Sequence, residues 1–153
     1  MVRPLFAPLL ALLLLGAAPL ACGGEAPLVE VAAIPADHLE VTRGDRRLAD
    51  TTVEALHELP TESRESRGTR YAGVLLRDLL RAHGVDPASV QGVEALAADG
   101  YAIQLSGDEV RSDATLVAYE ADGDALRKES GPLRLVTEER DHSVRQLRRL
   151  RVL

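Results

Sequence analysis

One thiol limits what this chain can build: Cys22 is the only cysteine in 153 residues. It stands where an apolar leader ends, so everything after it lacks both a disulfide and a thiolate for a metal. In an oxidising compartment such a domain must be held by packing alone. The leader has the order of a secretory signal, with Arg3 as the charged region, an apolar run from Leu9 to Leu15, then Gly16, Ala17 and Ala18. A stable membrane span needs about 20 apolar residues, and this run is too short for one.

Cleavage before Cys22 would expose its thiol for diacylglyceryl attachment, with Gly23-Gly24 as a flexible tether behind it. This arrangement resembles a bacterial lipoprotein signal: Ala21 fits the small residue before the cysteine, whereas Pro19 and Leu20 depart from the pattern. The expected division is a signal peptide over 1–21, a lipid-anchored tether over 22–36 and one folded domain over 37–153. The protein is expected to be exported to the periplasm or cell surface and held at the membrane through lipid on Cys22.

Removing the first 21 of 153 residues leaves 132, enough for a single core. That portion holds 17 basic and 24 acidic side chains, a formal charge of −7. An acidic balance argues against nucleic acid as a partner, because phosphate backbones reward dense positive charge. Lys128 is the only lysine, so abundant arginine reflects a compositional bias rather than many selected sites. Tyr71, Tyr101 and Tyr119 are the only aromatic residues beyond the leader, which makes the core aliphatic and leaves few stacking platforms for bases or sugars.

Along the chain, residues 25–35 show no clear period and read as the tether. His38–Arg43 alternates as a half-buried strand that Gly44-Asp45 turns back into Arg47-Leu48-Ala49. Thr51-Thr52-Val53-Glu54 has capping-box spacing and opens a short helix over Thr52–Glu58, ended by Pro60. Residues 61–70 are polar throughout and read as a surface loop. Val74, Leu75, Leu79 and Leu80 form a helical stripe stopped at Gly84. Asp99-Gly100 joins two strands in a hairpin, and Ser106-Gly107-Asp108-Glu109 is a second capping box. Strands are expected over Thr115–Glu120 and Leu133–Thr137, with Asp122-Gly123 as a turn and an apolar-rich segment over Leu147–Leu153. The sum is an α+β fold: a mixed, mostly antiparallel sheet with short helices.

Five strings in order resemble the molybdopterin-binding oxidoreductase domain of sulfite oxidase and periplasmic methionine-sulfoxide reductase. They are Tyr71-Ala-Gly-Val-Leu-Leu-Arg-Asp-Leu-Leu80, Asp99-Gly100-Tyr101, Leu116-Val-Ala-Tyr-Glu-Ala-Asp-Gly123, Gly131-Pro-Leu-Arg-Leu-Val136 and Val144-Arg-Gln-Leu-Arg-Arg-Leu-Arg-Val152. The resemblance implies a sulfite-oxidase-like fold and a pyranopterin dithiolate whose molybdenum takes one further ligand from a cysteine thiolate. In the family that cysteine precedes the Gly-Val-x-Leu string; here the stretch Leu59–Tyr71 contains none. Ser63 or Ser66 would be a hard oxygen donor in place of a soft thiolate, a poor substitute. The expectation is therefore a non-catalytic module that carries no cofactor and binds a ligand or an envelope partner. The alternative is a molybdopterin-dependent oxidoreductase performing oxygen-atom or electron transfer without a cysteine ligand.

Within that resemblance, Ser66, Arg70, Tyr101, Arg134 and Arg140 are candidates to line the cleft, and Arg145 joins Arg134 and Arg140 as a possible phosphate contact. Each has a plainer reading, Tyr101 as a half-buried sheet tyrosine and the arginines as a solvated face. His38, His57, His83 and His142 show no paired spacing, so no metal site is expected. Glu138-Glu139-Arg140-Asp141 reads as a loop charge run. No nucleophile elbow or phosphate-binding glycine loop occurs.

Overall fold

The computed structural model describes residues 28–139 and 142–153. The leader, Cys22, Arg140 and Asp141 lie outside the described residues. Among the described residues ten strands and four short α-helices follow one another, and the strands form two sheets. The first sheet contains β1 (His38–Arg43), β2 (Arg46–Thr52), β5 (Gly92–Ala97), β6 (Ala102–Ser106) and β10 (Leu147–Val152), in the order β2-β1-β10-β5-β6. The second contains β3 (Glu62–Ser66), β4 (Thr69–Leu75), β7 (Leu116–Ala121) and β8 (Asp124–Ala125), with β9 (Arg134–Val136) also paired to β7. Every pairing is antiparallel except β1 with β10. The α+β expectation therefore holds, with two sheets in place of one.

Alternation along the strands decides which residues meet. Leu39, Val41, Val93, Ala95, Leu150 and Val152 from the first sheet share one buried cluster with Val74, Val117, Tyr119 and Leu135 from the second. Leu76, Leu79 and Leu80 of helix α3 (Leu76–Ala82) complete it. The outer face of the second sheet buries Tyr71, Leu75, Leu116, Ala118 and Val136. On the outer face of the first, Leu96 is covered by Val31 and Ile34.

Those last two residues correct the tether. From Leu28 to Ala32 the chain forms helix α1, and Val31 is buried. Beneath it Arg149, 6% exposed, donates to Glu40 at 2.8 and 3.0 Å and to Glu30 at 3.3 Å. Arg47 adds a second guanidinium to Glu40. The charges are paired, as burial requires, and they tie the helix to the sheet.

The polar stretch 61–70 is a hairpin rather than a loop. A strand at the sheet edge needs no apolar face, and charged side chains there deter pairing with other chains. Arg67 and Gly68 at its tip have φ of 54° and 74°, the two-residue turn whose twist suits a hairpin. Val74 and Leu75 belong to β4, so the helical stripe begins only at Leu76. The β4–β7 ladder shifts register between Ala72 and Gly73, where a Cβ on Gly73 would lie 2.1 Å from Val117 O of the neighbouring strand. Thr52, not Thr51, caps helix α2 (Val53–Leu56), accepting from Ala55 N at 3.2 Å. Ser106 and Glu109 do form the reciprocal capping box, at the start of helix α4 (Gly107–Arg111).

Candidate functional site

At one end of the two sheets, four chain segments converge on a cleft of about 560 Å³. The β3–β4 turn contributes Arg67, the β5–β6 turn Ala97, Asp99 and Tyr101, the start of β9 Arg134, and the segment before β10 Ser143 and Arg145. Local chemistry fixes each. Asp99 Oδ1 accepts from Tyr101 N at 3.0 Å, closing the turn in which Gly100 has φ 85°, and Tyr101 stays 49% exposed at the mouth. Val144 bonds to Leu135 in both directions, at 2.8 and 3.0 Å, so buried Val144 turns its neighbours Ser143 and Arg145 outward. Gly131 lets Gln146 approach closely, because a Cβ there would lie 2.6 Å from Gln146 Cα.

Arg134 is the most constrained of these side chains. Its guanidinium carbon sits 5.2 Å from the centre of the Tyr71 ring, within cation–π range. Its Nε is buried and has no hydrogen-bond partner among the described residues. Among the described lining residues, three guanidinium groups stand against one carboxylate, and planar forks with several donors suit a carboxylate, sulfate-like or phosphate-like anion.

The structure thus brings Tyr101, Arg134 and Arg145 together and separates the other candidates. Cross-strand partners share a face. Ser66 pairs with Thr69, two residues from Tyr71, and lies on the Tyr71 face without lining the cleft. Arg70 pairs with Glu65 on the opposite face and borders a different hollow with Asp122 and Gly123. Ser63 pairs with Ala72, also on that opposite face. Arg140 lies outside the described residues. Arg67, Asp99 and Ser143 escaped sequence reading; an Arg-Gly pair at the tip of a polar hairpin was the available signal for the first.

The histidines are less scattered than their spacing implies. His142 Nδ1 lies 2.6 Å from Glu109 Oε1 and 3.4 Å from Glu139 Oε2. Burial raises the pKa of Glu109, but hydrogen bonds from Ser106 N–H, from His142 and from the Ser106 hydroxyl outweigh it and hold the carboxyl below its ordinary value.

A molybdenum centre with a protein thiolate does not fit these residues. No cysteine follows Cys22, and the two serines of the β3–β4 hairpin face opposite ways. The arginines of the cleft fit an anion, not a soft-metal bond.

The fold and cleft define an α+β two-sheet domain of the sulfite-oxidase type. Residues 38–153 match the model of the oxidoreductase molybdopterin-binding domain, and the chain belongs to that family. Among solved structures it is similar to the crystal structure of the sulfane dehydrogenase SoxCD from Paracoccus pantotrophus, with 25% sequence identity and a TM-score of 0.65. That match covers 78% of this chain and 39% of the SoxCD chain. No curated protein matches.

Proposed function

We propose that this protein is an exported, lipid-anchored and non-catalytic member of its family, a ligand- or partner-binding module of the cell envelope. The observation that carries the reading is the cleft itself: Arg67, Arg134 and Arg145 converge beside Tyr101 with no thiolate donor. Such a site recognises a small anionic or polar ligand by charge-assisted hydrogen bonds. The leader and Cys22 support the envelope location, with acyl chains on the cysteine supplying the membrane attachment.

Expression in a host that makes the molybdenum cofactor tests the non-catalytic role, with metal and pterin measured per chain. Molybdenum well below one atom per chain is the expected result, and near-stoichiometric metal overturns it. Family membership favours a second reading, a molybdopterin-dependent oxidoreductase that lacks a cysteine ligand. It requires a visible charge-transfer absorption and a redox-active centre, and a colourless protein with no electrochemical wave rejects it. Anchoring is tested separately by incorporation of labelled palmitate, which Cys22→Ala should abolish.

A further inference from the structure

His142, next in sequence to Ser143, belongs to a group of side chains that does not line the cleft. We infer that Glu109, Glu139 and His142 form a site for one divalent cation of the zinc class. One ligand atom from each lies within 4.8 Å of the other two. Two carboxylates and one imidazole provide the charge and the mixed nitrogen and oxygen donors that zinc accepts. Three protein ligands leave a fourth position for water.

Two separate pieces of local structure build the group. Glu109 is the third residue of helix α4, and its Oε2 accepts from Ser106 N at 2.7 Å and from Ser106 Oγ at 2.8 Å. That capping box leaves Oε1 directed at His142. Glu139 and His142 are joined through the backbone, His142 N donating to Glu139 O at 3.2 Å and Thr137 Oγ1 donating to the same carbonyl at 2.7 Å. Hydrogen bonds that orient ligands from behind are what metal sites use to fix their geometry.

Two of the three ligand separations lie close to those around a small ion, and the third, between the two carboxylates, is within 4.8 Å. Bonds of about 2.0–2.1 Å in a tetrahedron place ligand atoms about 3.3 Å apart. The Glu139–His142 separation is 3.4 Å. The Glu109–His142 separation is a 2.6 Å hydrogen bond, which must open by less than an ångström as the metal replaces the shared proton. Glu139 is largely exposed, whereas Glu109 and His142 are half-buried, so the ion has an open approach.

Equilibrium dialysis against Zn²⁺ tests the site on the full chain carrying Cys22→Ser, which removes the one competing thiol. One saturable Zn²⁺ per chain is expected, with affinity falling by at least about tenfold in each of Glu109→Gln, Glu139→Gln and His142→Gln. Glutamine at position 109 retains the capping function, so helix α4 persists. Glu65→Gln, in the hollow beside Arg70, should leave binding unchanged. Co²⁺ in place of Zn²⁺ should give ligand-field absorption that His142→Gln alters. Binding that never saturates, or a saturable site indifferent to all three substitutions, overturns the assignment.

Discussion

Gly73→Ala isolates the close approach on which the second sheet depends. The added methyl would meet Val117 O at 2.1 Å, Ala118 Cα at 2.6 Å and Val117 C at 2.7 Å, all of them backbone atoms of β7. Real Cβ contacts essentially never fall below 3.0 Å, so β4 and β7 must separate by about an ångström at a point where their register already shifts. A flexible side chain could swing away; a paired strand cannot. Overpacking of this kind costs about 1–3 kcal/mol, and contact with backbone puts this case near 3 kcal/mol. For a domain of this size each kcal/mol moves Tm by about 3–5 °C, so the variant should melt about 10–15 °C below the parent by circular dichroism. Gly68→Ala is the internal control. Its φ is +74° with nothing within 4 Å, leaving only left-handed backbone strain of about 1 kcal/mol. A Gly73→Ala variant melting within about 3 °C of the parent, or no lower than Gly68→Ala, refutes the reasoning.

Other expectations follow from buried charge, from the capping box and from the cleft. Glu40→Ala leaves Arg149 buried without its main partner and should cost about 3–5 kcal/mol in denaturant unfolding, while the double replacement of Glu40 and Arg149 by methionine should recover most of that loss. Ser106→Ala removes the helix cap and should cost about 1 kcal/mol. Glu109 is held below its ordinary value of 4.5, so its contribution to stability is present above that value and is lost as pH falls through the lower folded value. The Tm difference between parent and Glu109→Gln should therefore shrink below about pH 4.5, and a difference that is constant from pH 7 to 3 contradicts the linkage. Arg134→Gln should weaken protection of the fold by millimolar sulfate or phosphate, read as a smaller ligand-induced rise in Tm.

Most strands were legible because period and turn chemistry agreed. Asp99-Gly100 and Asp122-Gly123 mark their hairpins directly, and His38–Arg43 and Leu147–Val152 appear where their apolar patterns place them. Residues 62–66 were opaque, since an edge strand with no buried side chain carries no alternation to read. Val74 and Leu75 misled because they precede the α3 stripe at helical spacing yet pack from a strand, with Val74 in the main core and Leu75 on the outer face. Val31 and Ile34 were hidden among small residues, and their role depends on Leu96, distant in sequence. The site was half visible. Tyr101 and Arg134 stand in strings the family shares, whereas the separation of Ser66 from Arg70 rests on strand register, and the meeting of Glu109 with His142 spans 33 positions.

The placement of β10 has a bearing on how the domain comes into being. It is the last strand in chain order, yet it lies between β1, the first, and β5, joining the two halves of a five-stranded sheet. A nascent chain lacking residues 147–152 holds two hairpins with open flanks and no means of uniting them. Union of the two hairpins into one sheet thus waits for residues 147–152, a pairing of strands far apart in sequence that is slow to form.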